Sequence, residues 1–369
     1  MRISVPTETA HLEHRVALAP DSIARLIKRH KLDVVVQRGA GIRAGFRDAA
    51  YEAAGAVLVG TAVEALSGAA VITKVQPPNA AEIEHIDRGA TLIGLLRPGA
   101  SGDMVAQLAQ RTITGLALEL VPRISRAQSM DVLSSQSTVA GYKAVLLGAT
   151  TSGKFLPMLT TAAGNISPAK VFVIGAGVAG LQAIATARRL GGVVSAFDVR
   201  PAAREQVQSL GAAFVAADLL AESAEDAGGY ARAQTDDEQR SIAHAIAGHI
   251  KDMDLVITTA QIPGKPAPLL ITGSMVASMR AGSVIVDLAA DSGGNCELSR
   301  PGETIQAHDV TILAPRNVAS TVAFHASQMF GRNIVELLTH LITDGALRLD
   351  ETDEITGAMM ITHAGRIRP

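Results

Sequence analysis

One glycine-rich segment limits what this chain can fold into more than any other part of its sequence. An apolar run, VFVI, precedes it, the helical pattern LQAIATARRL follows it, and a second apolar run ends at Asp198. G-x-G-x-x-G alone is a weak signal, but this strand–turn–helix–strand order with a terminal acid is specific for a dinucleotide-binding βαβ unit. The predicted turn consists of Gly175, Ala176, Gly177, Val178, Ala179 and Gly180.

Each glycine in this turn has its own physical reason. Gly175 permits the tight turn after the strand, and Gly177 lacks the Cβ that would collide with a pyrophosphate. Gly180 lets the helix pack closely on the sheet. The first N–H groups of a helix have no partner within it, so the helix that follows offers them, with its positive dipole, to phosphates. The segment therefore predicts a phosphate-binding turn.

The end of the second strand indicates which dinucleotide binds. Asp198 can accept hydrogen bonds from the adenosine ribose hydroxyls and repels a 2′-phosphate, whereas Arg200 could bind such a phosphate. Because an acid occupies the usual position, the sequence favours NAD(H) over NADP(H). Val199, between them, is included among the predicted cofactor contacts. Further contacts are predicted where a later apolar strand ends, at Thr259, Ala260 and Gln261.

Strands alternate with helical patterns along most of the 369 residues. This alternation indicates an α/β architecture with parallel sheets. Hydrophobic residues make up 48% of the chain and aromatic ones only 3%, so the cores must consist mainly of Ala, Val, Leu and Ile. A helix predicted over 134–162 carries the chain into a second domain, and another over 320–341 returns it. We predict two Rossmann-like domains, residues 1–134 plus 325–369 and residues 135–324.

Composition excludes several classes of protein and site. The formal net charge is -2 and no Lys/Arg run is interleaved with aromatics, so nucleic-acid binding is not expected. A single cysteine, Cys296, rules out a disulfide framework and a Cys-rich metal site, and we predict no bound metal. No apolar stretch reaches the ~18 residues expected of a bilayer span, and no signal peptide is recognisable. These features predict a cytoplasmic protein.

A polar cluster follows the strand-like LALEL and precedes the first long helix. Its side chains could hydrogen-bond a carboxamide and a ribose, or serve only to cap that helix through Ser134 or Ser135. The residues alone leave both interpretations open. The candidate site residues in this cluster are Arg123, Gln128, Asp131 and Ser134.

Three other segments are candidate loops at the site. Residues 262–266 and 289–295 each follow a predicted strand, and loops at strand carboxyl ends line the ligand crevice of open α/β sheets. Both are equally well explained as structural turns. Residues 221–240 are polar, with Tyr230 as their only aromatic, which is typical of a mobile surface loop or of a solvated insertion.

These motifs together resemble the NAD(H)-binding component (domain I) of the proton-translocating nicotinamide nucleotide transhydrogenases. The resemblance extends over essentially the whole chain. It rests on EHRVALAP, KVQPP, the glycine-rich turn and its flanks, AFDVR, TAQIPGKPAP and GGNCE, and above all on RAQSMDVLSSQS, which is very specific for that family.

The resemblance implies two Rossmann-like domains with a nucleotide cleft between them, in a homodimer. It implies that Arg123, Gln128, Asp131 and nearby Ser134 hold the nicotinamide and its ribose, with the glutamine facing a partner's NADP(H). It also implies that Tyr230, in a mobile loop, closes over the bound nucleotide. The partners would be separate NADP(H)-binding and membrane-spanning components, and the chain would lie at the inner face of the cell membrane as a peripheral protein.

Alanine dehydrogenases form a homologous family and provide the rival interpretation. Arg15 and Lys74 occupy the positions that hold the substrate in that family, and Asp291 matches its acidic position. The family's catalytic histidine falls in a segment that here reads GLLR, without a histidine. Losing that acid/base costs roughly 10²–10⁴-fold in rate, so Arg15 and Lys74 are expected to form surface ion pairs instead. A non-catalytic NAD-binding sensor is the remaining alternative.

Overall fold

The computed structural model describes residues 1–216, 235–261 and 266–368. The chain forms two compact units. Unit 1 consists of Met1–Gln136 and Ala319–Pro369, and unit 2 of Ser137–Val318. Each unit is built on its own parallel-dominated sheet with helices along the strands. The predicted α/β fold with two domains of this type is thereby confirmed.

Strands and helices alternate through both units. The strands are β1 Arg2–Val5, β2 Asp33–Gln37, β3 Val57–Val59, β4 Val71–Thr73, β5 Thr91–Gly94, β6 Thr114–Ala117, β7 Leu159–Thr161, β8 Gly164–Ile166, β9 Lys170–Ile174, β10 Val193–Phe197, β11 Ala213–Phe214, β12 Leu255–Thr258, β13 Val284–Asp287, β14 Thr304–Ala307, β15 Val310–Leu313, β16 Ile342–Thr343, β17 Ala346–Leu347, β18 Met360–His363 and β19 Arg366–Ile367. The helices are α1 Pro20–His30, α2 Asp48–Ala53, α3 Ala62–Leu66, α4 Ala80–His85, α5 Gly102–Gln110, α6 Val132–Thr151, α7 Val178–Arg189, α8 Ala202–Ser209, α9 Asp236–Ile250, α10 Gly273–Ala277, α11 Ala323–Leu341 and α12 Glu354–Met359.

The sheet of unit 1 has the strand order β19-β18-β6-β5-β4-β1-β2-β3. Strands β1 to β6 pair in parallel, and β18 adds to β6 in antiparallel orientation. Alternate residues of one strand enter different cores: Val71 packs in the cluster that includes α1 and α11, and Ile72 in the cluster with α3 to α5. Both faces of this sheet are therefore covered, as parallel pairing requires.

The sheet of unit 2 has the order β11-β10-β9-β12-β13-β15-β14, and only β14 runs antiparallel to its neighbour. The chain goes from β9 to β10 on one side and later returns to β12 on the other. This change of direction is a topological switch point, where open α/β sheets bind ligands outside the carboxyl ends of their strands.

Helix α6 is shorter than the sequence predicts. It ends at Thr151 instead of continuing to residue 162, and the β7–β8 hairpin follows it. The prediction was wrong because the apolar pattern of the sequence continues beyond the end of the helix. Gly153 and Pro157, which disfavour a helix, lie in that continuation. Helix α6 begins in unit 1 and continues in unit 2. The returning helix α11 begins at Ala323 after a 3₁₀ turn over Val318–Val322.

The predicted polar loop over 221–240 is also partly helical. Helix α9 begins at Asp236, and Thr235 caps it in a reciprocal capping box with Glu238. The Thr–x–x–Glu spacing is a start signal that composition alone concealed. Residues 217–234, Tyr230 among them, lie outside the described residues.

A close contact inside unit 2 joins α6 to the start of α7, at the glycine-rich turn. A Cβ at Gly141 would lie 2.0 Å from the carbonyl oxygen of Ala179, at the start of α7. A glycine is therefore required for the two backbones to approach this closely. By contrast, a Cβ at Gly153 would meet nothing within 4 Å.

We predict that Gly141→Ala destabilises the protein by about 1–3 kcal/mol, because α6 must move away from α7. Chemical denaturation followed by circular dichroism measures the change. Gly153→Ala is the matched control and is expected to leave the unfolding midpoint nearly unchanged. Equal midpoints for the two variants would contradict the packing constraint.

Candidate functional site

The glycine-rich turn lies at the switch point of the unit 2 sheet. Gly175 follows β9, and the neighbouring strand β12 leads into Thr259 and Ala260. The Thr259 hydroxyl donates to the Gly175 carbonyl at 3.0 Å. A Cβ at Gly175 would meet that hydroxyl oxygen at 2.8 Å and the Ala260 nitrogen at 2.9 Å. Two predicted cofactor segments are therefore in direct contact.

The three glycines have the geometry that a phosphate-binding turn requires. Gly175 has a φ of +96°, in the region that favours glycine. A Cβ at Gly180 would lie 1.8 Å from the Gly175 carbonyl oxygen, so α7 can approach the turn only without one. A Cβ at Gly177 would meet nothing within 4 Å, which leaves open space before the helix. Val178 is exposed and no acidic residue lies in the first turn, so these residues fit a phosphate group at the helix N-terminus.

Asp198 is 7% exposed and engaged by protein donors. One oxygen accepts from the Ala176 N–H at 2.7 Å and from Arg200 Nη2 at 3.0 Å. The other accepts from Arg200 N and from Arg200 Nε, each at 2.9 Å. These four donors fill the usual acceptor positions of a carboxylate, so a ribose hydroxyl would compete with the side-chain donors of Arg200. The same ion pair keeps Arg200 from acting as a free phosphate ligand in this arrangement, and Val199 beside it is half-buried.

The polar cluster of unit 1 forms a 3₁₀ turn over Ser125–Met130 that leads into α6. Asp131 caps the helix: its carboxylate accepts from the Ser134 N–H at 2.9 Å and from the Ser134 hydroxyl at 2.6 Å. The sequence left open whether this cluster contacts a ligand or caps the helix through Ser134 or Ser135. The cap is present, but its acceptor is Asp131 and Ser134 is a donor to it. Gln128 and Arg123 are exposed on the turn.

Helices α11 and α12 support this turn. Asn333 of α11 donates from Nδ2 to the Ser129 carbonyl at 2.7 Å. Arg126 pairs with Asp353, the residue that caps α12, at 3.1 Å. Neither support was predicted, since the turn and its supports lie about 200 residues apart in sequence. These contacts hold the turn against α11 and α12, and the Gln128 side chain remains exposed.

The predicted site residues thus form two groups, each within one unit. Asp131 and Ser134 bond to each other in unit 1, and the residues around Gly175, Asp198 and Thr259 contact one another in unit 2. Gln261 donates to the Leu288 carbonyl at 3.1 Å. Residues 262–265 lie outside the described residues. The expected meeting of the two groups in a cleft stays a prediction.

Comparisons with known proteins agree on the family. The model "Alanine dehydrogenase/PNT, N-terminal domain" matches residues 4–140, and the corresponding C-terminal domain model matches residues 144–369. The chain belongs to the alanine dehydrogenase/PNT family. It is 47% identical to an NAD(P) transhydrogenase subunit alpha polypeptide of Rhodospirillum rubrum, over 100% of this chain and 97% of the relative. The resemblance noted from the sequence is thereby confirmed.

Two further relatives place the chain within that family. A transhydrogenase from Sinorhizobium meliloti has a similar structure, with a TM-score of 0.91 and 44% identity over the whole of both chains. The alanine dehydrogenase of Mycobacterium tuberculosis is 34% identical over 87% of this chain and 82% of its own. The chain is thus nearer to the transhydrogenase alpha subunits, and alanine dehydrogenases are more distant relatives.

Arg15 and Lys74, which the sequence predicts to match substrate positions of alanine dehydrogenases, have an unexpected environment. Arg15 is 4% exposed and Lys74 is fully buried, so the predicted surface ion pairs were wrong. Arg15 forms a two-point ion pair with Glu13, at 2.8 and 2.6 Å. Lys74 Nζ lies 2.9 Å from Glu82 and 3.6 Å from Glu8. These buried charges surround the switch point of the unit 1 sheet, after β1 and β4.

Arg97 lies in the segment where the resemblance implies a histidine in alanine dehydrogenases. It adopts a left-handed φ of +49° and donates from Nη2 to Gln76 at 2.7 Å. Glu119 accepts from its backbone N–H and from that of Leu96. A guanidinium does not deprotonate in proteins, so it cannot serve as the missing acid/base. Asp291 is half exposed and pairs with Arg316 at 2.7 Å.

We predict that Lys74→Met destabilises the protein by roughly 3–5 kcal/mol, since two buried carboxylates lose their cation. Burial raises the pKa of Glu8 above its ordinary value of 4.5, and Lys74 opposes that rise. A carboxyl with a raised pKa in the folded state contributes stability at low pH and loses it as the pH rises. The deficit is therefore expected to be largest in mildly alkaline buffer and to shrink on acidification.

Urea unfolding at several pH values measures this deficit. Arg38→Met is the control, because Arg38 is exposed and its pair with Asp48, at 4.0 Å, is worth at most about 1 kcal/mol. A Lys74→Met deficit that stayed constant with pH would contradict the role given to Glu8.

Proposed function

We propose that this chain holds NAD(H) and exchanges a hydride with NADP(H) bound on a partner component. The observation that carries the proposal is the glycine-rich turn at the unit 2 switch point, with the buried acid Asp198 beside it. Membership of a family whose relatives are transhydrogenase alpha subunits supports the same reaction. No described helix is long and apolar enough to cross a membrane.

The chain's own residues would bind and orient the dinucleotide. The N-terminus of α7, next to the open space at Gly177, would hold the pyrophosphate. Asp198 would meet the adenosine ribose after exchange of Arg200, and its charge would disfavour a 2′-phosphate. Thr259, Ala260 and Gln261, which follow β12, would line the other side of the turn. Tyr230, which the resemblance assigns to the cofactor contacts, lies outside the described residues.

The polar turn of unit 1 would orient the reactive ring. Bound NADH supplies the hydride, and NADP⁺ on the partner accepts it. Transfer between two nicotinamides needs no side-chain nucleophile, only rings held at about 3–3.5 Å with water excluded. Arg123, Asp131 and Ser134 would hold the ring and ribose, while exposed Gln128 would face the partner. The partner components would bind NADP(H) and span the membrane, and this chain would associate with the inner face.

A reconstituted assay tests this function against its rivals. The purified chain is mixed with NADH, an NADP⁺ analogue and an NADP(H)-binding transhydrogenase domain, and reduction of the analogue is followed. Pyruvate with ammonia is tested in parallel. We expect analogue reduction and no oxidation of NADH by pyruvate. Activity with pyruvate would favour an alanine dehydrogenase, and NADH binding without either activity would favour a sensor.

We predict that Gln128→Leu slows hydride transfer about 10–100-fold, because a small misplacement of the rings is costly. NADH affinity and thermal stability should hardly change, since Gln128 is exposed. Single-turnover kinetics and NADH fluorescence titration separate the two quantities. Ser125→Ala, on the same exposed turn, is the control. A variant that transfers hydride at the original rate would remove Gln128 from the site.

We further propose that two copies of this chain associate through α6 and the β7–β8 hairpin. Helix α6 carries a single charged residue, Lys143, in 20 residues, and its apolar side chains are spread around its whole circumference. Helices of that kind are normally buried on all sides, yet Tyr142 is 42% exposed. Beside the hairpin, Phe155 and Met158 are 56% and 65% exposed. Such a surface favours a second apolar surface of the same kind.

We predict that the double variant Phe155→Asp with Met158→Asp weakens self-association about tenfold or more, because charges enter an apolar contact. Sedimentation velocity over a concentration series measures the change. Gln206→Asp, at an exposed position of α8, adds the same kind of charge elsewhere and is expected to leave association intact. An unchanged dimer in the double variant would place the interface on another surface.

A further inference from the structure

Asp287 is a fully buried acid at the carboxyl end of β13 with no role in the function proposed above. Its carboxylate accepts five hydrogen bonds. Two come from the hydroxyls of Thr258 and Ser299, at 2.9 and 2.7 Å. Three come from the backbone N–H groups of Ala289, Asn295 and Cys296, at 3.0, 2.9 and 3.1 Å.

Two glycines make this arrangement possible. Gly293 and Gly294 have φ values of +108° and +83°, which side-chain-bearing residues rarely adopt. They reverse the chain so that the N–H groups of the next two residues point back at Asp287. A Cβ at Gly294 would also lie 3.0 Å from the Asp287 carboxylate. The GGN sequence thus forms a turn that directs backbone N–H groups at the buried Asp287 side chain.

Asn295, held by Asp287, uses both of its side-chain donors and its side-chain oxygen in hydrogen bonds. Its side-chain oxygen accepts from the Ala260 N–H at 3.0 Å. Its side-chain nitrogen donates to the Ala260 carbonyl at 2.9 Å and to the Pro268 carbonyl at 2.8 Å. The residue is fully buried. One amide therefore fixes both polar groups of the Ala260 backbone and the Pro268 carbonyl.

Ala260 is also the residue against which the phosphate-binding turn is set. Its nitrogen lies 2.9 Å from where a Cβ of Gly175 would be, and adjacent Thr259 donates to the Gly175 carbonyl. A shift of Ala260 by a few tenths of an ångström would therefore displace the glycine turn, because close-packed backbones transmit displacement.

We propose that Asp287 and Asn295 are positioning residues for nucleotide binding, joined in what we call the Asp287–Asn295 relay. The relay rests on the function proposed above. It acts through Ala260 and contacts no substrate. Asp287 orients Asn295, and Asn295 holds the Ala260 backbone in the position that the close approach of Gly175 requires. The property that the relay affects is the affinity of the chain for NADH.

Asn295→Asp tests the relay because it preserves size and the acceptor for the Ala260 N–H while removing both donors. We expect NADH to bind about tenfold more weakly in mildly alkaline buffer, the usual effect of leaving buried carbonyls unpaired. The new carboxyl would be buried, with the Asp287 carboxylate as its nearest charged neighbour in the hydrogen-bond network, so both raise its pKa. Acidification would then restore one O–H donor and bring the affinity back toward that of the unsubstituted chain.

Fluorescence titration with NADH across a pH series, each point divided by the unsubstituted chain's value, gives the readout. Ser283→Ala is the matched control: it removes one buried hydrogen bond, to the Met253 carbonyl, at the other end of β13. It should lower stability without a pH-dependent change in affinity. If Asn295→Asp does not fold, Thr258→Val weakens the relay more gently and should raise the dissociation constant about twofold to threefold.

The outcomes separate the two levels of proposal. If the unsubstituted chain binds no NADH, the proposed function fails. If it binds NADH and Asn295→Asp, or Thr258→Val in its place, binds equally well, only the relay is overturned. A weakening in Asn295→Asp that does not recover on acidification would also overturn it, since a general loss of packing would then suffice.

Discussion

Unit 2 of this chain depends on the contact between two strand ends, those of β9 and β12. Gly175 and Ala260 meet at a distance that only a glycine allows, and Gly180 brings α7 onto the same point. A helix N-terminus can bind a phosphate only if no protein atom occupies the space in front of it. The open space at Gly177 meets that condition. Packing and binding are therefore requirements on the same few backbone atoms.

Both units bury charged side chains beyond the carboxyl ends of their strands, but these groups differ in kind. In unit 2 the buried acids Asp198 and Asp287 accept from backbone N–H groups, so they fix loops. In unit 1 the buried charges are paired with each other, as Arg15 is with Glu13 and Lys74 is with Glu82. Paired buried ions hold geometry at a desolvation cost.

Local patterns predicted the elements that local physics determines. The strand that contains VFVI and the helix after the glycine-rich turn form where they were predicted, because a continuous apolar run and a helical apolar pattern are sufficient local signals. Helix α6 was overestimated, since an Ala-rich pattern continues past its real end. Burial of Arg15 could not be predicted, because its partner Gln136 lies 121 positions away in sequence. The role of Asn295 could not be predicted either, because its hydrogen-bond partner is the backbone of Ala260 and backbone groups leave no pattern in the sequence.

The apolarity of α6 links the fold to assembly. A helix with apolar side chains around its whole circumference would be costly if only one side were covered, at about 25 cal/mol for each Å² left in water. Unit 2 covers the side that carries Gly141 and Gly148, against α7 and β12. The exposed side, with Tyr142, leads into the hairpin beside Met158. One continuous segment thus provides both the link between the units and the apolar surface proposed for the second copy, so a substitution in it would be expected to act on folding and on association together.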